Sequence, residues 1–289
     1  IRKIKQVIKE HEIDVVLSVM TSMNILTLLS NSNCKIIITE HNVIRKNKTF
    51  MSRIVSFMMK SLYQRADKII AVSYGVRDGL KSLSRELKID VIYNPIDINE
   101  IQERSKEDVG DKENYIIGVG RLTQQKGFDI LIEAFSKIKN NELNLLILGD
   151  GQEKENLLSL VKNFSLEKKV FFLGFQDNPY KYMRNAKCFV LSSRWEGFGL
   201  VLAEAMASGA KVVSFNCKSG PSEILDNGAI GYLARAEDTE DLVVKITTCL
   251  KNENYDYDKA AEKLKEFDID SVVDKYYKVI SSLINQKTI

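Results

Sequence analysis

Short β-type apolar runs alternate with amphipathic helical stretches along most of this chain, and no other feature limits its fold so tightly. The runs at residues 14–19, 35–39 and 68–72 are rich in Val and Ile and have the look of strands buried on both faces. Amphipathic stretches lie around 2–10, 22–30, 51–65 and 75–84. The alternation resumes with apolar runs at 115–120, 143–148, 170–173, 188–191 and 211–215, separated by helical patterns at 127–139, 152–163, 180–184 and 200–208. Repeated β-α-β units predict an α/β protein with parallel sheets and helices on both faces.

Between the two series, residues 98–113 are polar and charge-rich and hold no apolar run. The sequence therefore predicts two α/β domains, residues 1–97 and 114–268, joined by a linker at 98–113. Near its end the chain is wholly helical. Val272, Val273, Tyr276, Ile280 and Leu283 recur at helical spacing, which marks 269–289 as a C-terminal helix. A length of 289 residues at 44% hydrophobic content is enough for one large core or two ordinary ones. The 42 Lys+Arg nearly balance the 39 Asp+Glu, so the net charge of +3 excludes a disordered chain and argues against a nucleic-acid binder. Cys34, Cys188, Cys217 and Cys249 are far apart, lack metal-ligand spacing and read as reduced thiols of a cytosolic protein. No signal-peptide pattern follows Ile1, and the longest apolar runs are too short to span a bilayer.

Residues 41–66 carry six basic residues (Arg45, Lys46, Lys48, Arg53, Lys60, Arg65) and no acid, interleaved with Phe50, Met51, Ile54, Phe57 and other apolar side chains. One reading is a core-packing helix with a solvated edge. The other is attachment of residues 45–65 to an anionic membrane surface, where each nearby cation is worth about 1 kcal/mol.

Two loops carry residues suited to chemistry. The first, residues 118–127, follows a buried strand and leads into a helix. Gly118 and Gly120 let the backbone approach a ligand, and Arg121 and Lys126 place two cations at a strand's carboxyl end, where open α/β sheets bind ligands. Such a pair suits a diphosphate. It is neither a Walker loop nor a dinucleotide fingerprint, and a surface turn with two exposed cations has the same composition. The second loop follows the strand at 188–191: Glu196, then Gly197, Phe198, Gly199 and Leu200 at a helix start, then Glu204 on that helix. Free N–H groups at a helix start form an anion site. A carboxylate among apolar neighbours, as Glu204 is, needs partners such as the two hydroxyls of a ribose. Taken singly, Glu196 and Glu204 also have the features of ordinary helix-start and helix-face acids.

In combination the two loops say more. Glu196, the Gly197-Phe198-Gly199 turn and Glu204 seven residues on, with the upstream Gly120-Arg121-Leu122 and Lys126-Gly127, resemble the donor-binding domain of the retaining family-four glycosyltransferases, the glycosyl transferases group 1. Further matching stretches are 72–73, 91–97, 148–151, 172–175, 220–225 and 227–233, so the resemblance covers essentially the whole chain.

The resemblance implies a GT-B architecture: two Rossmann-like domains with parallel sheets facing across a cleft. It implies transfer of a sugar from a nucleotide sugar, UDP-linked by the family's commonest choice, to a hydroxyl on a glycan or lipid-linked glycan. On this pattern Arg121 and Lys126 grip the donor diphosphate, backbone amides from Gly197 to Leu200 contact phosphate and sugar, and Gly120 lies beside them. Glu204 holds the ribose, Glu196 faces the sugar, Gly174 and Phe175 border the base, and His41 approaches the sugar from the first domain. No cofactor and no metal are expected. Asp256-Tyr257-Asp258 and Asp268-Ile269-Asp270 lie in the helical tail and read as helix-start acids. The family's first domain begins further upstream than Ile1, so the first domain is expected to be incomplete here. The expectation is a cytoplasmic enzyme of bacterial surface polysaccharide or glycolipid synthesis, peripheral at the inner face of the cell membrane. The alternatives are a GT-B sugar-nucleotide epimerase and a non-catalytic nucleotide-sugar-binding fragment.

Overall fold

A computed structural model describes residues 1–43, 49–110 and 114–285. They fall into two compact units, Ile1–Pro95 with Asp270–Ile289, and Ile96–Ile269.

The first unit runs α1 (Arg2–Glu10), β1 (Val15–Val19), α2 (Thr21–Ser30), β2 (Lys35–Glu40), α3 (Phe50–Leu62), β3 (Lys68–Ala71), α4 (Tyr74–Lys81) and β4 (Ile89–Val91). The four strands pair in parallel in the order β1-β2-β3-β4, with Val15 opposite Lys35 and Ile69 opposite Ile89. Ile37, Ile38 and Ile70 in the middle strands are fully buried, as a sheet covered on both faces requires. The buried Glu40 is paired: 0% exposed, it accepts from Thr21 Oγ1 at 2.7 Å and from Tyr63 Oη at 2.7 Å.

The second unit continues α5 (Ile98–Ser105), β5 (Tyr115–Val119), α6 (Phe128–Lys137), β6 (Asn144–Leu148), α7 (Lys154–Asn163), β7 (Val170–Gly174), α8 (Tyr180–Asn185), β8 (Cys188–Leu191), α9 (Leu200–Ala207), β9 (Val212–Asn216), α10 (Pro221–Ile224), β10 (Tyr232–Arg235), α11 (Thr239–Lys251) and α12 (Tyr257–Leu264). Its six strands are all parallel, in the order β10-β9-β8-β5-β6-β7. The direction of winding reverses between β5 and β8. In doubly wound sheets such a reversal opens a crevice at the carboxyl ends of the two strands. The core on one face joins Ile116, Leu131, Leu145, Val190, Phe215 and Ile246. Cys188 and Cys249 are hydrogen-bonded there, which together with burial pushes the Cys188 thiol up and keeps it a thiol.

The last helix, α13 (Ile269–Asn285), returns to the first unit, where Val272 and Leu283 pack on Ile37, Ile70 and Ile92. The second unit is closed where the chain enters and leaves it: Ile96 N–H donates to Phe267 O at 2.9 Å, and Ile269 N–H to Ile96 O at 3.0 Å.

The first half of the expected linker, 98–113, is a helix of the second unit. Asp97 caps α5 by accepting the Glu100 N–H at 2.8 Å, and Ile101 and Ser105 are buried one turn apart against the unit. Arg104 fastens it further, donating to the Asp177 carbonyl at 2.7 Å and carboxylate at 2.8 Å. A helix held by one buried Ile and polar tethers has no apolar periodicity to read. Residues 111–113 of that interval lie outside the described residues, as do Arg45, Lys46 and Lys48. Among the described residues, no helix is long and apolar enough to cross a membrane.

Candidate functional site

The two loops singled out from the sequence leave the carboxyl ends of β5 and β8, the strands flanking the reversal of the six-stranded sheet. Here the polypeptide is packed backbone against backbone, which the glycines permit. A Cβ on Gly149 would stand 2.0 Å from Gly120 O, and one on Gly151 would stand 2.4 Å from Leu122 O, so the β6–α7 turn fits only as Gly149-Asp150-Gly151. Leu122, fully buried, anchors the β5 loop from below.

The β5 loop and the β8 loop are bound to each other by side-chain and main-chain hydrogen bonds. Arg194 N–H donates to Gln125 O at 2.8 Å, Gln125 Nε2 to Trp195 O at 3.0 Å, and Ser192 Oγ to Lys126 O at 3.0 Å. Arg194 also donates to Gln124 O at 2.8 Å and forks onto both Asp129 oxygens at 2.8 and 2.6 Å. Such bidentate pairs fix orientation as well as energy. The reading from sequence gave Arg194 no role, although it stands between the two motifs.

Within this frame Lys126 Nζ lies 2.6 Å from Glu196 Oε1, with both side chains mostly withdrawn from solvent, and Ser193 Oγ donates to the same oxygen at 2.6 Å. The cation expected to meet a diphosphate and the acid expected to meet a sugar are thus each other's partners. The Lys126 stem lies over Gly120, about the distance of a van der Waals contact from where a Cβ would be. Arg121 is exposed and makes no ion pair among the described residues. It borders a cavity of about 350 Å³ with Gly120, Gly149, Asp150, Phe175 and Pro179. Phe175 is 80% exposed at its mouth, and the neighbouring Gly174 takes φ +68° with its carbonyl accepting Gly149 N–H at 2.8 Å.

The Gly197-Phe198-Gly199 turn starts α9. Phe198 is buried edge-on against Phe267 at 5.2 Å between ring centres, and Ser219 Oγ donates to Gly197 O at 2.9 Å. Gly199 at φ +93° turns the chain so that Leu200 begins the helix, whose first N–H groups point out of the sheet end. Glu204 sits on the second turn of α9, half-buried. Burial pushes its carboxyl above the usual range, and only the Lys126 charge pulls it back. No hydrogen bond to Glu204 forms among the described residues, so its two oxygens retain their acceptor capacity.

His41 lies in the first unit, just past β2. It shares a 3.0 Å hydrogen bond with Thr39 Oγ1, and burial holds its pKa below the ordinary imidazole value. Glu40, which the sequence reading passed over, fixes this turn: its carboxyl accepts from the backbone of His41 and Asn42 and is itself raised by burial. The fold favours neutral His41, so its contribution to stability is present above pH 6.5 and is lost as pH falls toward the lowered value. A His41→Gln variant is expected to lose less stability than the wild type over that interval, as read from urea midpoints at successive pH values.

The two Asp-x-Asp pairs belong to the helical tail. Asp256 caps α12 by accepting Lys259 N–H at 2.9 Å, and Asp268 and Asp270 flank the start of α13. Among the described residues, no three His, Cys, Asp or Glu side chains are grouped to hold a metal.

Residues 99–267 match the family model described as glycosyl transferases group 1, and residues 1–100 match glycosyltransferase family 4. The chain belongs to the glycosyl transferases group 1 family. Among its relatives is the N-acetylgalactosamine-N,N'-diacetylbacillosaminyl-diphospho-undecaprenol 4-alpha-N-acetylgalactosaminyltransferase of Campylobacter jejuni, 34% identical over 235 residues, 80% of this chain and 64% of that protein. An uncharacterized glycosyltransferase of Methanocaldococcus jannaschii is 32% identical over 247 residues, 77% of this chain and 60% of that protein. The chain therefore spans somewhat less than two thirds of the length of these two relatives. Anabaena HepE, crystallised with UDP, superposes with a TM-score of 0.83 at 22% identity over 96% of this chain and 82% of its own. The lipopolysaccharide outer core galactosyltransferase WaaB gives 0.76 at 23% identity, over 97% and 78%. The fold is GT-B, with a parallel-sheet Rossmann-like unit in each half.

Proposed function

We propose that this chain binds a UDP-linked sugar at the β5 and β8 loops and transfers the sugar, with retention, to a hydroxyl of a glycan or lipid-linked glycan in bacterial surface polysaccharide or glycolipid synthesis. The observation that carries the proposal is the convergence of Arg121, Lys126, the α9 N-terminus and the unpartnered Glu204 carboxyl at the switch point of one sheet. The named activity of the Campylobacter relative and the UDP held by Anabaena HepE support the choice of substrates.

In this reading the diphosphate meets Arg121, Lys126 and the amides from Gly197 to Leu200. Glu204 accepts from the two ribose hydroxyls, and Gly174 and Phe175 border the base. As the bond from the anomeric carbon to the phosphate oxygen breaks, its electron pair passes to the diphosphate, whose growing charge is met by cations and amides already in place. The acceptor oxygen bonds to the anomeric carbon on the same face, and its proton goes to the departing phosphate oxygen. Glu196 faces the sugar, and His41 is assigned a catalytic role.

Thermal-shift measurements with UDP, GDP and ADP sugars test this. A ligand at one hundred times its Kd adds about 2.7 kcal/mol to the folded state, so a UDP sugar is expected to raise Tm by several degrees. Arg121→Ala and Glu204→Ala are expected to remove most of that rise. An unchanged rise in both variants would refute the site.

A further inference from the structure

We propose that Arg194 is a positioning residue of the donor site: its guanidinium sets where Lys126 and Glu196 stand, and through them how tightly a nucleoside diphosphate is held. This rests on the donor reading above and adds to it a residue that does not line the cavity beside Arg121. The Arg194 side chain is 17% exposed and distributes its donors over three segments. Nη1 donates to Gln124 O and to Asp129 Oδ1, both at 2.8 Å, and Nη2 to Asp129 Oδ2 at 2.6 Å. Nε lies 3.3 Å from Glu237 Oε2, in the turn between β10 and α11. Gln124 and Asp129 bracket Lys126, two residues before it and three after, and Arg194 itself comes two residues before Glu196.

Apolar burial does not fix this seam. Residues 123–127 and 192–194 hold no apolar side chain, and the buried Leu122 and Phe128 only flank it. Its register is therefore set by hydrogen bonds, which Arg194 supplies from its main chain, on Gln125 O at 2.8 Å, as well as from its guanidinium. Lysine offers a point charge and cannot reproduce a planar fork on both Asp129 oxygens. Inside the frame so held, Lys126 Nζ meets Glu196 Oε1 at 2.6 Å. The cation and the acid stand on opposite sides of the seam, so any slip between the loops moves one against the other. Misplacement by about 1 Å can cost roughly a hundredfold where groups must converge on one ligand. An arginine that served stability alone would lower Tm and leave the affinity of the folded molecules as it was.

Titration calorimetry of the full chain with UDP tests this, at a temperature where circular dichroism shows each variant folded. The Kd is expected to rise at least about tenfold in Arg194→Lys and further in Arg194→Ala, since the fork is lost in both. Asp129→Asn, which keeps neutral hydrogen bonds in place of charged ones, should raise it about threefold. Arg235 also holds two acids, Asp238 and Asp241, but from the exposed end of β10, so Arg235→Lys should bind UDP as the wild type does. Methylguanidinium added to Arg194→Ala is expected to recover part of the lost affinity and to do nothing for Lys126→Met, a rescue that loosened packing would not give. Wild-type affinity in Arg194→Lys would overturn the proposal. So would a loss in Arg194→Ala that methylguanidinium leaves unchanged; should that variant not fold, Arg194→Lys decides alone. Lys126→Met and Arg121→Ala are titrated alongside: wild-type affinity in those two refutes the donor site itself, whereas their loss with the Arg194 variants unchanged refutes only the role of Arg194.

Discussion

Replacing Lys126 by methionine is expected to cost both stability and donor binding, and the two losses can be separated. The 2.6 Å pair with Glu196 is largely withdrawn from water, the lysine 16% and the glutamate 8% exposed. Removing one partner of such a pair leaves a buried charge uncompensated, at a cost of about 3 kcal/mol. Neutralising both removes that penalty, so Lys126→Met/Glu196→Gln should recover most of the lost stability in urea denaturation. It should not recover the nucleotide: losing a charge-assisted hydrogen bond to a diphosphate weakens binding roughly ten- to a hundredfold, as read by titration calorimetry with UDP. Glu196→Gln alone behaves differently. It keeps the ammonium group and releases it from its carboxylate, so UDP affinity should hold or rise while sugar transfer falls. Wild-type UDP affinity in Lys126→Met would remove the lysine from the site.

A large stability loss is expected from Gly127→Ala. Gly127 lies at φ +63°, and a Cβ there would stand 2.1 Å from Ser192 O, in the seam between the β5 and β8 loops. A left-handed backbone alone costs a non-glycine residue about 1 kcal/mol. Gly110, at φ +72° with nothing within 4 Å of the added carbon, isolates that cost. Gly110→Ala is therefore expected to lose about 1 kcal/mol, and Gly127→Ala more than about 4 kcal/mol because the two backbones must separate. The same separation pulls Lys126 from Glu196, so a surviving fraction should bind UDP poorly. Similar losses at Gly110 and Gly127 would mean that the loops are not held as closely as described.

What the sequence disclosed follows from how each element is buried. The central strands β2, β3, β5, β6 and β8 are covered on both faces and read as continuous apolar runs. The edge strand β4 spans only Ile89–Val91 with exposed Asp90 at its centre, and β10 ends on the exposed Arg235, so neither carries that signal. Helix α5 was missed because its hold is a cap, one buried isoleucine and an arginine tether. At the site, the residue types of the two loops were legible, but their pairing was not. Lys126 and Glu196 stand 70 positions apart and meet only because β5 and β8 are neighbours in the sheet. The same adjacency gives Arg194 its grip on Asp129, and nothing in a linear pattern distinguishes buried Glu40 from a solvated acid.

The most direct test is a crystal structure of the full chain with bound UDP. The two phosphates should lie within hydrogen-bond reach of Lys126 Nζ, the Arg121 guanidinium and the first amides of α9, with the ribose hydroxyls on Glu204. UDP bound elsewhere, with Lys126 still closed on Glu196 and Glu204 facing no sugar, would contradict the assignment of this site.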